Sequence, residues 1–233
     1  MKKIFAFAFA FILSVSIFAL YSEDYSMNFE AEDEFSNESW IINRNVGIGV
    51  PIIKPNFGAI SEPNFIGANL SYKQQHIYWP NGFVFQFEAS QSVLRGVENI
   101  PIINYDCKFY GIENTFMIGL GFGFISDRKL FVTLAGCVGI DNSVMFADYS
   151  IASLNVVTLS LVAGIDLSAT LRLTKHLGCF ASIFAGAPIT GGAWETLSLK
   201  YNSLYYSASA FETMKLGQYY IKPSIGVSVA FGD

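Results

Sequence analysis

Charge is scarce in this chain. Only 14% of its residues are Asp, Glu, Lys or Arg, where soluble domains carry roughly a quarter. Bases are scarcer still, 14 against 19 acids, so no basic surface for DNA or RNA can form and nucleic-acid binding is excluded. Cysteine is limited to Cys107, Cys137 and Cys179. Their odd number and wide spacing make no CxxC pair, zinc site or disulfide framework, and they read as small residues on strands. Histidine is limited to His76 and His176, and GxSxG, HExxH and nucleotide-binding glycine loops are missing. No catalytic, cofactor-binding or metal site is assigned, and the chain is not expected to be an enzyme.

What the chain does have is apolar and small. It is 52% hydrophobic, with 22 Phe, 12 Tyr and 20 Gly among 233 residues. The stretch Val157–Leu173 shows how they are used. Its odd positions are Val157, Leu159, Leu161, Ala163, Ile165, Leu167, Ala169, Leu171 and Leu173, and its even positions are mostly Ser, Thr, Gly, Asp and Arg. A period of two held this long describes one extended strand with a greasy face and a small, polar face. Strands of soluble domains usually run about five or six residues, so this one is built for a longer span. Hydropathy alone also allows helices over 149–165 and 176–194. A helix would scatter the Ser, Thr and Gly of 157–173 around its circumference, whereas the strand period sorts them onto one side.

Three regions follow in order. Residues 1–22 read as a cleaved export signal, with Lys2 and Lys3 ahead of an apolar run and Ala19 and Ser22 as candidate cleavage points. An uncleaved anchor is the rival reading. Residues 23–39 hold seven acids and no base, a solvated acidic extension that lacks the apolar pattern to fold alone.

Residues 40–233 break into eight alternating segments. The first places Val46, Ile48, Val50 and Ile52 on one face. The second has Ile66, Ala68, Leu70 and Tyr72, the third Phe83, Phe85 and Phe87, and the fourth Phe116 to Phe124 at even positions. The fifth has Leu130, Val132, Leu134, Val138 and Ile140. Val157–Leu173 is the sixth, and the seventh, near 178–190, is ambiguous in phase. The eighth carries Tyr219, Ile221, Pro223, Ile225, Val227, Val229 and Phe231. Pro80-Asn81-Gly82, Ser126-Asp127-Arg128 and Lys175-His176-Leu177 make short turns. Longer connections are expected at about 55–64, 94–113, 141–155 and 191–213, the last able to form a protruding hairpin. Pro51 and Pro223 fall inside segments, where each removes a ladder hydrogen bond and predicts a local bulge.

An even number of strands with alternating short and long connections matches an all-β, eight-stranded antiparallel up-and-down transmembrane β-barrel. Lipid offers no hydrogen-bond partners, so such a sheet must close. Aromatics gather at both ends: Trp40, Tyr78, Trp79 and Phe231 at one, Tyr110, Trp194, Tyr206 and Tyr219 at the other, as in interfacial girdles. A secreted or periplasmic lipocalin-like carrier of an apolar ligand is the alternative. Its greasy face would point inward and its outer face would carry many charges, which the Gly, Ser and Thr positions here do not supply.

The apparent export signal, the eight segments, the loop alternation and the terminal YYIKPSIGVSVAF resemble small bacterial outer-membrane barrels of the OmpA/OmpX/OmpW-like kind. That resemblance implies residence in the outer membrane, contact with its lipid, and a final strand read by the outer-membrane assembly machinery. Phe231 matches the terminal aromatic of that signal, with Val229, Val227 and Ile225 at alternate positions and Tyr219 opening the same face. Gly232 and Asp233 run beyond it, which departs from the pattern.

Five charges fall on the inward face: Lys73, Glu88, Asp166, Arg172 and Lys222. Buried charges must pair or reach water, so an interior ionic network is expected, with Glu88 and Asp166 as acids and Lys222 among its bases. Its expected role is to brace the barrel. An eight-stranded ring leaves little room for water. The expected function is therefore structural, adhesive or surface-binding, through an extracellular ligand at 141–155 and 191–213, with passage of small hydrophobic molecules as a further option.

Overall fold

The computed structural model describes residues 40–54, 65–78, 81–100, 105–126, 130–148, 152–174, 176–201, 204–213 and 218–231. The apparent export signal, the acidic extension and the connection at 55–64 lie outside the described residues, as do Trp79, Pro80 and the Asp127-Arg128 turn.

Among the described residues ten strands form one antiparallel sheet: β1 Trp40–Gly49, β2 Ile52–Lys54, β3 Phe65–Tyr78, β4 Phe83–Ile100, β5 Tyr105–Ser126, β6 Leu130–Asp148, β7 Ala152–Arg172, β8 Leu177–Tyr201, β9 Leu204–Thr213 and β10 Tyr219–Phe231. From β2 to β9 each strand pairs with its sequence neighbour, and β10 closes the sheet by pairing with β8 on one side and with β1 and β2 on the other. β1 and β2 together make one wall strand, so the ring holds eight. β9 stands outside it. Strand pairing runs without a break from 152 to 172, and β8 covers 177–201, so the helix-like hydropathy of these regions belongs to strands.

The phase of the side chains settles which medium each face meets. Along β7, Ser160 and Asp166 are buried at 2% and 0% exposure, while Leu161, Ile165 and Leu167 are exposed at 39%, 58% and 47%. The same holds for Phe116, Ile118, Leu120, Phe122 and Phe124 on β5 and Val46 and Ile48 on β1. A soluble carrier would bury these side chains around its ligand; here they form a predominantly apolar exterior, and the carrier alternative is overturned. An apolar belt on a closed, edgeless ring is the surface of a lipid-embedded barrel. The ambiguous seventh segment resolves with Phe180 and Phe184 inward and Cys179, Ala181, Ile183 and Ala185 outward.

The prolines behave otherwise than the sequence suggests. Across Pro51 and Pro223 the ladder between β1–β2 and β10 is interrupted, yet the register before and after is unchanged, Gly49 facing Ser224 and Ile52 facing Ile221. The two prolines lie in the same gap, so one interruption serves both, and their carbonyls still accept from Gly67 N and Val50 N at 3.3 Å. The bulge sits elsewhere. Leu161 faces Thr190 but Val162 faces Pro188, leaving Ile189 as the extra residue. A proline cannot donate to the ladder, and a bulge is where its loss costs least.

The tight turn at Asn81-Gly82 is as the sequence predicts. Gly82 has φ of 70°, its N–H donates to the Tyr78 carbonyl at 2.9 Å, and Asn81 Oδ1 accepts from Phe83 N at 2.9 Å. The turn after β7 is held by Thr174 Oγ1, which accepts from His176 N and Leu177 N at 3.3 and 3.0 Å.

At the opposite end the strands run on well past the expected connections. Residues 94–100 and 105–111 pair with one another, and 141–148 pair with 153–160. The sequence predicts loops there because outward positions become polar or small, as at Gln91, Asn114 and Asn142. Leaving lipid changes the side chains an outward position prefers but not the backbone pairing, so these stretches remain strand.

Candidate functional site

The interior is layered. At the end carrying the short turns, Ile41, Ile77, Val84 and Phe131 form a buried apolar cluster. At the other, Phe65, Leu94, Phe109, Met145, Ala147, Leu154 and Val156 belong to a second, with the Phe65 and Phe109 rings edge to face at 6.0 Å. Two further rings fill the wall beside β8. A Cβ on Gly47 would come within 2.5 Å of the Phe180 ring, and one on Gly186 equally close to that of Phe184. Glycine opposite phenylalanine is how this narrow ring packs large side chains without strain.

Between the apolar ends lie two ion clusters. In the first, Lys73 Nζ donates to Asp166 Oδ1 at 2.5 Å and stands 3.3 Å from Glu88 Oε2, an ionic contact without hydrogen-bond geometry. Glu88 is the cross-strand partner of Lys73. Asp166 is not: β3 and β7 lie four strands apart in the eight-strand ring, so this pair spans the lumen. Around it, Ser168 Oγ donates to Asp166 Oδ2 at 2.7 Å, and Gln75 Nε2 donates to Thr133 Oγ1 at 2.8 Å and to Ser168 Oγ and Gln86 Oε1 at 3.2 Å.

In the second cluster Lys222 Nζ lies 3.0 Å from Glu113 Oε1 and donates to Thr115 Oγ1 at 2.5 Å. Glu113 Oε2 accepts from Ser92 Oγ at 2.8 Å, and Asp141 accepts from Thr115 Oγ1 at 3.0 Å and from Tyr220 Oη at 3.4 Å. β10 and β5 are again four strands apart, so Lys222–Glu113 is a second diameter. All six Lys, Asp and Glu side chains of the two clusters are at most 5% exposed.

Of the five inward charges named from the sequence, the structure brings together Lys73, Glu88 and Asp166. Lys222 belongs to the other cluster, not to theirs. Arg172 joins neither: its guanidinium stacks 4.7 Å above the Phe131 ring and donates to Asn43 Oδ1 at 3.3 Å. Glu113 and Asp141 fall within the connections that the sequence pattern predicts at 94–113 and 141–155, and so are not among those five. The signal was available, since Glu113 and Thr115 keep the inward parity of Met117, and Asp141 and Ser143 keep that of Cys137.

Outside the ring, the upper half of β8 and all of β9 form a hairpin, with Gly192 facing Thr213 and Tyr201 facing Leu204. Among the described residues β9 pairs with β8 alone, so its second edge has no ladder partner there. Trp194 and Phe211 pack at 5.0 Å between ring centroids, and Thr196 and Ser209 hydroxyls bond across the strands at 3.1 Å. Tyr206 and Phe211 are more than half exposed. On β10, Tyr219 and Val227 are exposed and Val229 half-exposed on the outward face, and Phe231 closes the strand opposite Ile42.

No protein-family model and no curated protein matches the chain. Among solved structures, its fold is similar to a major outer membrane protein from Thermus thermophilus, with a TM-score of 0.57 at 9% identity, over 82% of this chain and 99% of that one. Weaker likenesses include the attachment invasion locus protein of Yersinia pestis, with a TM-score of 0.43 at 13% identity over 82% and 98% of the two chains. Another is the outer membrane protease of Escherichia coli, with a TM-score of 0.44 at 7% identity over 87% and 99%. At such identities likeness speaks to the fold, and it agrees with the closed ring and apolar exterior: this chain has the fold of the small bacterial outer-membrane β-barrels.

Proposed function

We propose that the protein is a surface-binding barrel of the bacterial outer membrane, whose ring anchors and whose β8–β9 hairpin engages an extracellular partner. The filled lumen carries this reading. Apolar layers at both ends and two ion pairs across the middle leave the ring a support rather than a conduit, and argue against passage of small hydrophobic molecules along its axis. In this reading the ion clusters brace opposite walls, and the outward row Tyr219, Val227 and Val229, with Phe231 ending the same strand, serves the assembly machinery. The hairpin is the part with binding chemistry to offer. It presents Trp194, Tyr206 and Phe211 beside an edge that has no ladder partner among the described residues, the kind of edge on which extended peptides dock by strand addition.

The test is binding of a panel of extracellular-matrix proteins (fibronectin, laminin, collagen) to the barrel in lipid nanodiscs, before and after residues 195–212 are replaced by a two-residue turn. The parent is expected to retain at least one of them and the shortened barrel none. Both should keep the faster gel migration of an unheated folded barrel. Equal binding by the two would defeat the proposal.

A further inference from the structure

The outward face of the β8–β9 hairpin is built as a strip. Cross-strand partners share a face of the sheet. Trp194 is partner to Val157 on β7 and to Phe211 on β9, so both rings stand on the side that carries the apolar belt. Further up, the same face holds Thr196 opposite Ser209 and Ser198 opposite Ser207. The outward row of β7 changes character at this level: Leu161, Leu159 and Val157 are apolar, and Asn155 and Ser153 follow. The aromatic pair therefore marks the upper margin of the belt, with hydroxyls beyond it. None of these rungs carries a charge.

Glycine shapes the pair. A Cβ on Gly192 would come within 2.4 Å of two carbons of the Phe211 ring, Cε2 and Cζ. With glycine there the ring lies flat across the strand and turns its other face outward. Phe211 is 56% exposed, and Trp194, tilted by 52° beside it at 5.0 Å between centroids, is 49% exposed. One rung up, the Thr196 and Ser209 hydroxyls are 3.1 Å apart. That bond uses one of their two O–H groups, so a donor and several lone pairs remain for a ligand.

The chemistry of the strip selects its occupant. A sugar ring has a face of C–H groups and a rim of hydroxyls. The C–H face packs on the negative face of an aromatic ring, and the rim bonds to hydroxyls alongside. A phosphate headgroup would ask for a base, and the strip has none. A protein partner would ask for a pocket around an anchoring side chain, whereas these rings lie on an open sheet. Below the rings the belt continues, with Val157, Leu159 and Leu161 exposed on the adjoining strand, the surface on which acyl chains rest. A molecule that joins acyl chains to an uncharged saccharide matches both parts. The short turns mark the periplasmic end of such a barrel, so the strip meets the outer leaflet.

We propose that this strip is a site for an uncharged glycolipid of the outer leaflet. The saccharide stacks on Phe211 and Trp194 and bonds to Thr196 and Ser209, and its acyl chains run down the row from Val157 to Leu161. Tyr206, on the other face by alternation from Ser207, and the β9 edge are left to an extracellular partner. The inference thus stands apart from the hairpin's adhesive role and needs only that the barrel sit in lipid.

Native mass spectrometry of the whole barrel, released from a sugar-free detergent with added digalactosyldiacylglycerol, phosphatidylglycerol or diacylglycerol, reads the site directly. One digalactosyldiacylglycerol should stay bound under activation that strips the other two. A large excess of free lactose should not displace it, which separates a lipid-borne saccharide from a free one. Phe211→Leu keeps apolar bulk over Gly192 without an aromatic face and should lower retention at least about tenfold, and Trp194→Phe by less. Leu197→Ala, on the other face of the hairpin, should leave it unchanged. Unheated gel migration reports the ring in each variant, and resistance to surface protease reports the hairpin. Equal retention of diacylglycerol or phosphatidylglycerol by the parent needs no variant and would overturn the proposal, leaving the rings a general interfacial girdle. So would undiminished retention by Phe211→Leu with its hairpin formed, or displacement by lactose.

Discussion

The two buried lysines solve the same problem differently. Both reach across the ring to a carboxylate on the opposite wall, Lys73 to Asp166 and Lys222 to Glu113. Lys73 has a second carboxylate, Glu88, in direct contact. Lys222 has its second acid, Asp141, only through the Thr115 hydroxyl between them. Lys73 is thus a hub on which two negative charges depend, and Lys222 is one end of a relay. A buried ion pair adds little net stability over an apolar isostere, but removing one partner strands the other at a cost of about 3–5 kcal/mol. The number of groups stranded therefore ranks the consequences.

The largest effect should come from Lys73→Met, which leaves Glu88 and Asp166 facing each other without a cation. A loss of about 5 kcal/mol is expected in urea unfolding of the barrel in lipid vesicles. Lys222→Met strands Glu113 alone in direct contact and should cost about 3 kcal/mol. Adding Glu88→Gln and Asp166→Asn to Lys73→Met should recover most of the loss, since a neutral, hydrogen-bonding lumen has no charge to desolvate. Equal losses for the two lysines would erase the distinction between hub and relay.

How far the sequence showed this is best seen at single residues. Lys73, Glu88 and Asp166 were legible because each lies inside an unmistakable run of alternating residues, where parity alone assigns the face. Nothing in the sequence says which opposite walls meet, since that depends on strand order around a closed ring. Parity alone therefore groups Lys222 with Glu88 and Asp166, whereas the ring places it against Glu113. Glu113 and Asp141 were lost for a different reason. The outward half of the alternation weakens at Asn114 and Asn142, where the wall leaves hydrocarbon, so the pattern predicts a strand end there although its inward half continues. The Pro51–Pro223 gap was hidden likewise: two prolines 172 positions apart become one interruption only when β1 and β10 are laid side by side.

Leu161 offers a sharper contrast at the height of the Lys222 cluster, because its neighbour Ser160 faces Asp141 across the ladder. A lysine at either position differs only in the side of the wall it meets. Leu161→Lys directs the charge into hydrocarbon and should cost about 2–4 kcal/mol near mid-bilayer. Ser160→Lys directs it toward Asp141, the acid with no base in direct contact, and should cost less despite its crowding. Loss of folded barrel on the unheated gel at rising urea ranks the two, and equal sensitivity would argue against lipid outside and paired charge within.

The smallest expected difference is the most diagnostic of the hub. Glu88→Gln leaves Lys73 its hydrogen-bonded partner Asp166, and what it removes is an ionic contact at 3.3 Å that lacks hydrogen-bond geometry. Its cost should be about 1 kcal/mol or less. The Lys222–Glu113 contact at 3.0 Å also lacks hydrogen-bond geometry, but Glu113 is the one carboxylate touching Lys222, so after Glu113→Gln the ammonium must rely on Thr115 and on Asp141 behind it, at about 2 kcal/mol. The pair is matched in chemistry, both being Glu→Gln on the lumen face of adjacent strands, so the difference measures how each lysine distributes its charge. Should Glu88→Gln prove the more damaging of the two, Glu88 rather than Asp166 would be the principal partner of Lys73. The brace would then run along the wall between neighbouring strands instead of across the barrel.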